Sequence, residues 1–171
     1  MSGPTLVLVG PPGAGKSTVG RLLAQAWGVP FRDTDDDVEV AEGRTIADIF
    51  IDSGEEHFRA AERAAVVRAL AEHDGVLALG GGAVLDPDTQ AELAGLAVVY
   101  LSVSLAAAYP RVGLNANRPL LVGSPRRQWQ LLMEARRGIY ASLAAVEVSS
   151  DDRTPEQVRD AVLEQLGPVE P

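Results

Sequence analysis

Gly10-Pro11-Pro12-Gly13-Ala14-Gly15-Lys16-Ser17 matches the phosphate-loop pattern G-x-x-x-x-G-K-[ST] at every fixed position. The stretch follows an apolar run at residues 5–9 and opens a segment of helical periodicity, the strand-loop-helix context that this motif requires. Its glycines allow successive backbone N–H groups to turn inward around a phosphate at the positive end of the helix. We therefore predict a nucleoside triphosphate site at this loop, within an α/β fold.

Lysine use along the chain supports this interpretation. Of the 15 basic residues, 14 are arginine and only Lys16 is lysine. A compact, flexible ammonium group is well suited to bridge the outer phosphates, and the hydroxyl of Ser17 is suited to ligate Mg²⁺. We assign Lys16 to catalysis and Ser17 to the metal. The residues expected to bind the ATP co-substrate are Gly13, Ala14, Gly15, Lys16, Ser17 and Thr18.

Apolar runs alternate with helical segments over the rest of the chain. Runs rich in Val and Leu occur at residues 5–9, 29–31, 76–79, 97–103 and 145–148. They lack strict alternation, as expected for strands that are buried on both faces. Helical periodicity occurs at residues 16–27, 45–50, 55–72, 87–94, 104–112, 126–142 and 155–166. This alternation predicts a single α/β domain whose mostly parallel sheet is covered by helices on both faces.

Composition excludes several classes of partner and location. The formal net charge of -9 disfavours binding to nucleic acid or to anionic lipid, since both would be repelled on average. The absence of cysteine excludes disulfides and thiolate chemistry, and it fits a reducing compartment. The apolar runs are too short for a membrane span, and the first begins too early to leave room for a signal peptide. We expect a cytoplasmic protein.

Asp33 and Asp35 are candidates for the carboxylates that P-loop enzymes place near Mg²⁺. The third and fourth apolar runs end without an acidic residue, which leaves the turn after residue 31. In an extended segment, residues i and i+2 share a face, so both carboxylates should point into one site at the carboxyl edge of the sheet. Mg²⁺ and an acceptor alcohol would relieve their repulsion. Asp36 and Asp37 are better explained as a solvated helix start.

Two arginines have positions suited to binding an anion. Arg136 lies on the apolar stripe of its helix, where a guanidinium needs either an anionic ligand or a distant ion pair. Arg59 has Glu62 three residues later, which would hold its planar fork for a carboxylate, although surface pairs of this kind are common. The apolar stripe itself consists of Trp129, Leu132, Met133 and Tyr140.

Two further segments are expected near the ligands. Gly80, Gly81 and Gly82 follow the third apolar run, where they either allow close approach of backbone to a ligand or form a flexible turn. The segment at residues 113–125 has no period and is expected to form a lid. Its Arg118 would act as an arginine finger on the transferred phosphoryl group, or is simply a solvated loop residue.

The whole set resembles the shikimate kinases, small members of the nucleoside-monophosphate-kinase-like P-loop family. The resemblance covers residues 6–166. The phosphate loop alone is weakly specific, and the ordered set that follows it is much more specific. This set comprises Asp33-Thr34-Asp35, Gly43 with Ile46, Ile49 and Phe50, Phe58-Arg59 with Glu62, Gly80-Gly81-Gly82, Arg118-Pro119-Leu120-Leu121, and Arg136 with Tyr140.

The resemblance implies a fold and an activity. The fold is a five-stranded parallel sheet with helices on both faces, an acceptor-binding subdomain at about residues 33–62 and a lid at about residues 112–125. The activity is transfer of the γ-phosphoryl group of ATP to the 3-hydroxyl of shikimate, a step in aromatic amino acid biosynthesis. We expect one domain over residues 1–171 that acts as a monomer.

The resemblance also implies roles for individual residues. Asp35 would orient the 3-hydroxyl, and Asp33 would hold Mg²⁺ through water. Arg59 and Arg136 would clamp the shikimate carboxylate, and backbone at Gly81, between Gly80 and Gly82, would meet the ring hydroxyls. Arg118 would close over the phosphates, and Arg111 and Arg153 would flank the adenine.

Departures from the family pattern are mild. Ser149 and Ser150 stand where relatives often carry Asp-Thr, and the insert at residues 113–117 is individual. Both concern adenine contacts or lid kinetics.

The sequence alone must be weighed against three other functions. A related kinase acting on gluconate or a nucleoside monophosphate shares the phosphate loop. A GTP-binding switch would need an Asn-Lys-x-Asp motif, which a chain with one lysine at position 16 cannot contain. A non-catalytic homologue is disfavoured by the intact Lys16, Ser17, Asp33 and Asp35.

Overall fold

The sheet has the predicted composition and direction. A computed structural model describes residues 3–112 and 125–167. Its five-stranded sheet has the order β2-β3-β1-β4-β5, and every neighbouring pair is parallel. The central strand β1 carries the phosphate loop at its carboxyl end. The strands are Leu6–Val9 (β1), Phe31–Asp33 (β2), Val76–Ala78 (β3), Val98–Ser102 (β4) and Val146–Ser149 (β5).

Helices connect the strands, as the periodicity predicts. The last helix begins with a capping box, in which Thr154 and Gln157 cap each other's backbone and Pro155 occupies the first turn. The helices are Lys16–Trp27 (α1), Thr34–Glu42 (α2), Ile46–Glu72 (α3), Pro87–Leu93 (α4), Leu105–Val112 (α5), Pro125–Leu143 (α6) and Pro155–Leu166 (α7), with a short 3₁₀ turn at Ala83–Leu85.

Both faces of the sheet are buried under helices. Along β1, Leu6 and Leu8 pack with side chains from α1, α5 and α7, whereas Val7 and Val9 pack with side chains from α3 and α4. Successive strand residues point to opposite faces, so this division confirms the two-sided covering. Helix α6 contributes to both sides.

Two features differ from the sequence-based prediction. The sequence predicted a helix start at Asp36 and Asp37 but not the extent of helix α2, because the acidic segment has no apolar period and buries only Thr34 and Val38. The two helices predicted at residues 45–50 and 55–72 form parts of α3, which is interrupted at Gly54 (φ 84°, ψ 172°). That positive φ suits glycine, so the chain passes through the interruption without strain from a side chain.

The predicted lid lies largely outside the described residues. Helix α5 ends at Val112 and helix α6 begins at Pro125, so residues 113–124, including Arg118, are not described. Within the part of the chain that is described, no helix combines the length and apolar character needed to cross a membrane.

Candidate active site

The phosphate loop joins the end of β1 to the start of α1. Gly13 and Gly15 adopt positive φ angles of 85° and 87°, which explains why glycine occupies both positions. The Lys16 ammonium donates to the carbonyl oxygens of Gly10, at 2.8 Å, and Pro11, at 3.1 Å. The lysine is therefore held over the loop, with the positive end of α1 directly beneath it.

Ser17 and Asp33 meet at the base of this loop. The Ser17 hydroxyl donates to Asp33 Oδ2 at 2.5 Å, and Asp33 Oδ1 accepts from the backbone N–H of Asp35 at 2.9 Å. One carboxylate therefore contacts the phosphate loop and caps the N-terminus of α2 at the same time. The fold therefore brings together the two oxygen-bearing side chains predicted for the metal, although Ser17 and Asp33 are 16 positions apart in the chain.

Asp35 shares a cleft with the phosphate loop, for a reason that differs from the one predicted. The residue lies in the first turn of α2, so the assumption of an extended segment is wrong for it. The first helical turn nevertheless directs it to the cleft, which has a volume of about 250 Å³. The residues that line the cleft are Pro12, Gly13, Gly15, Lys16, Ser17, Thr18, Asp33, Asp35 and Leu79.

The glycine triplet lies against side chains of the site itself. A Cβ at Gly80 would come within 2.5 Å of Asp35 Oδ1 and 2.9 Å of Glu62 Oε2. A Cβ at Gly82 would overlap the Arg59 guanidinium. The sequence left open close approach to a ligand or a flexible turn. At Gly80 and Gly82 the space that glycine leaves open holds charged groups of the protein, and contact with a ligand stays a prediction.

Arg59 and Arg136 both interact electrostatically with Glu62. Arg59 donates to Glu62 Oε1 at 2.8 Å, as the i,i+3 spacing predicts, and its Nε lies 3.6 Å from the half-exposed Glu55 carboxylate. Glu62 is 4% exposed and Arg136 is 5% exposed. Burial raises the pKa of the Glu62 carboxyl, against the opposing effects of Arg59 and of the more distant charge on Arg136.

The environment of Arg136 bears on the two alternatives that its sequence position left open, an anionic ligand or a distant ion pair. Glu62 of α3 is close enough for its charge to interact with Arg136, as a distant ion partner would. Glu62 is a buried carboxylate close to both guanidinium groups, and Arg59 has the half-exposed Glu55 as a second carboxylate. Binding of an anionic ligand by Arg59 and Arg136 therefore stays a prediction.

The residues predicted to contact adenine are described only in part. Arg153 is exposed, and its guanidinium donates to the Ser149 carbonyl at 3.1 Å. The side chain of Arg111 lies outside the described part of the chain, as does Arg118. The unusual Ser150 is buried, and its backbone N–H and hydroxyl both donate to the Ser102 carbonyl, which ties the end of β5 to β4.

Sequence reasoning missed two hydroxyl contacts to the glycine triplet. Thr34 Oγ1 accepts from the backbone N–H of Gly80 at 3.2 Å, and Tyr140 Oη donates to the carbonyl of Gly81 at 2.5 Å. Both residues stand in the motifs that were singled out. The sequence pattern did not indicate their partners, because Gly80 is 46 residues from Thr34 and Gly81 is 59 residues from Tyr140.

The fold and the cleft together define a P-loop kinase of the nucleoside-monophosphate-kinase-like type. A family model described as "Shikimate kinase" matches residues 12–167. The chain is 62% identical to a shikimate kinase of Streptomyces avermitilis and 59% identical to one of Streptomyces coelicolor, and each match covers 97% of both chains.

A solved structure gives the same result. The shikimate kinase of Acinetobacter baumannii in complex with shikimate superimposes with a TM-score of 0.91 at 32% identity, covering 97% of this chain and 93% of that one. The chain therefore belongs to the shikimate kinase family, whose members are ATP-dependent kinases.

Proposed function

We propose that this chain transfers the γ-phosphoryl group of ATP to the 3-hydroxyl of shikimate, giving shikimate 3-phosphate and ADP. The observation that carries the proposal is the placement of Asp33 and Asp35 in one cleft with the phosphate loop. Next to them, Gly80 lies against Asp35 and Glu62, and Arg59 and Arg136 both interact with Glu62. These contacts support a donor site with an acceptor site for a carboxylate beside it.

Mg²⁺ fits the oxygen ligands at the base of the loop. Ser17 Oγ and Asp33 Oδ2 are already in contact, and Mg²⁺ prefers a few protein oxygens together with phosphates and water. Among the described residues there is no cluster of three or more His, Cys, Asp or Glu side chains that would enclose a metal, which agrees with that preference. When bound with ATP, the ion would neutralise charge on the outer phosphates.

On the donor side, the protein positions the phosphates. Gly13, Ala14, Gly15 and Thr18 would present backbone N–H groups to them, and Lys16 would turn from the loop carbonyls towards the β- and γ-phosphates. Arg111 and Arg153 would flank the adenine. Arg118, in the lid proposed at residues 112–125, would close over the γ-phosphate.

On the acceptor side, each charge of shikimate meets its complement. Asp35 would accept a hydrogen bond from the 3-hydroxyl of shikimate and orient the hydroxyl oxygen towards the γ-phosphorus. Phosphoryl transfer requires this alignment of the attacking oxygen. Arg59 and Arg136 would bind the carboxylate, and backbone of Gly80, Gly81 and Gly82 would meet the ring hydroxyls. The acceptor-binding subdomain at residues 33–62 would then consist of the end of β2, helix α2 and the first part of α3.

The proposal is tested by ADP release with four acceptors measured in parallel, namely shikimate, gluconate, AMP and CMP. We expect shikimate alone to accelerate ADP release, and only with Mg²⁺ present. Acceleration by gluconate instead would move the chain to the rival kinase class, and no acceleration by millimolar shikimate would refute the proposal.

Gly82→Ala is expected to weaken shikimate binding with little loss of stability. The backbone at Gly82 (φ −97°, ψ 0°) is open to alanine, and the atoms nearest to an added Cβ are those of the Arg59 guanidinium, at the far end of a flexible side chain. Displacing one charged hydrogen bond costs about 1.5–3 kcal/mol, which corresponds to a roughly 10- to 100-fold rise in KM for shikimate.

Gly138→Ala is the matched control for this variant, because Gly138 is exposed on α6 and an added Cβ would meet nothing within 4 Å. It should leave both KM values unchanged. A rise in KM for ATP equal to that for shikimate in Gly82→Ala would place Arg59 outside the acceptor site.

The remaining assignments stay predictions. These are a cytoplasmic location, a monomeric state, the absence of nucleic acid and membrane partners, and the single domain over residues 1–171. Size-exclusion chromatography with light scattering tests the monomer directly.

A further inference from the structure

The backbone of the glycine triplet is held by two buried hydroxyl groups from distant parts of the chain. Thr34, from the start of α2, accepts the N–H of Gly80, and Tyr140, from α6, donates to the carbonyl of Gly81. Both residues are 0% exposed. A glycine-rich segment has few side-chain contacts to fix it, so these two bonds constrain a backbone that would otherwise have many conformations.

Thr34 links the Asp35 carboxylate to the backbone that follows β3. It stands between Asp33, which caps α2, and Asp35, whose Oδ1 occupies the space where a Cβ of Gly80 would lie. The bond from Gly80 to Thr34 therefore sets how closely the Asp35 carboxylate approaches the triplet. Without an acceptor, the buried N–H of Gly80 would lose its partner, which favours a shift of the backbone.

Tyr140 links the triplet to the buried arginine. Its ring packs on Tyr100 with centroids 5.1 Å apart, and the Gly81 backbone that its hydroxyl binds lies beside Arg136, whose Nη1 would be 3.4 Å from a Cβ at Gly81. Burial raises the pKa of Tyr140 to about 12, so the hydroxyl keeps its proton at any working pH. It therefore stays available as the donor to the Gly81 carbonyl.

The triplet also contacts the donor side. A Cβ at Gly81 would lie 3.0 Å from Pro12 Cδ of the phosphate loop and 3.4 Å from Arg136 Nη1. A displacement of this backbone would therefore be felt at both the phosphate loop and the arginine. Counting the contacts of Gly80 and Gly82 as well, more of the nearest side chains belong to the proposed acceptor site than to the phosphate loop.

We propose that Thr34 and Tyr140 are positioning residues of the acceptor site, acting through the backbone of Gly80 and Gly81. Thr34 holds Asp35 against the triplet and thereby aligns the 3-hydroxyl of shikimate. Tyr140 holds the Gly81 backbone beside Arg136 and thereby positions the arginine that would bind the shikimate carboxylate. This inference rests on the function proposed above. It assigns the two hydroxyls different kinetic effects, which a purely structural role would not produce.

The test compares Thr34→Val, Thr34→Ser and Tyr140→Phe by kcat, by KM for each substrate and by thermal unfolding. Thr34→Val should lower kcat by about 10-fold or more, since small misplacements at a reacting group are costly, with KM for ATP within about twofold of wild type. Thr34→Ser keeps the hydroxyl and should restore kcat to within about threefold. Tyr140→Phe should raise KM for shikimate about 5- to 10-fold and leave KM for ATP unchanged.

Thr89→Val and Tyr100→Phe are the matched controls. Thr89 is a buried threonine whose hydroxyl accepts from Arg63, and Tyr100 is the ring partner of Tyr140. Both should lose stability to a similar extent while keeping wild-type kinetic constants. The positioning role is refuted if the test variants lose only stability, if Thr34→Ser behaves as Thr34→Val, or if the controls show the same kinetic losses.

Two outcomes keep this test separate from the proposed function. If wild type uses another acceptor from the panel, the proposed substrate is wrong, and the same variants assayed with that acceptor still decide the positioning role. If Thr34→Val does not fold, Tyr140→Phe decides the inference by itself, because it deletes a single oxygen atom.

Discussion

Replacing Asp35 by asparagine is expected to reduce kcat by about 100-fold or more while ADP binding stays within about twofold of wild type. Asparagine has the same shape, but it cannot accept the acceptor proton or orient the hydroxyl through a negative charge. Losses of about 10² to 10⁴ are typical when such a group is removed. Steady-state kinetics give kcat, and calorimetry gives the ADP affinity.

Asp36→Asn is the control for Asp35→Asn, because Asp36 is the next residue of α2 and its side chain is exposed. It should retain wild-type turnover. Normal turnover in Asp35→Asn would remove Asp35 from the mechanism, and lost ADP binding would show that the variant had disturbed Asp33 and the phosphate loop instead.

Replacing Arg136 by alanine is expected to raise KM for shikimate about 10- to 100-fold, with KM for ATP within about twofold. A hydrogen bond to a charged group is worth about 1.5–3 kcal/mol, and the buried Arg136 has little competition from water. Isothermal titration with each substrate separately measures the two affinities.

Arg137→Ala removes the same charge from the exposed face of α6 and should change neither affinity. Equal weakening of both substrates in Arg136→Ala would mean that the arginine supports the whole site through Glu62. In that case the carboxylate clamp would have to be reassigned.

The sequence predicts most of the fold because its signals are local. The phosphate loop has fixed residues next to a strand and a helix, and α1 begins at Lys16 as the motif requires. The strands are apolar runs of the expected length, and α7 has a complete capping box. In each case, the residues that decide the structure lie within a few positions of one another.

The parts that were missed depend on contacts between distant residues. Helix α2 has a polar surface, so its formation follows from the cap at Asp33 and from the burial of Thr34 and Val38. The side chains that fill the space beside Gly80 and Gly82 come from helices α2 and α3, and the sequence of the triplet itself does not indicate which residues they are. Sequence reasoning therefore identified the members of the site better than it identified the contacts between them.

The bond between Ser17 and Asp33 has a mechanical consequence. Strands β1 and β2 are not neighbours, because β3 lies between them. The contact nevertheless joins the start of α1, which follows β1, to the end of β2. It forms a tie across the carboxyl edge of the sheet, made by a hydrogen bond here and, in the proposed loaded enzyme, by a magnesium ion. The tie limits how far the start of α1 can move from the end of β2, so we expect substrate entry to depend on movement elsewhere in the chain.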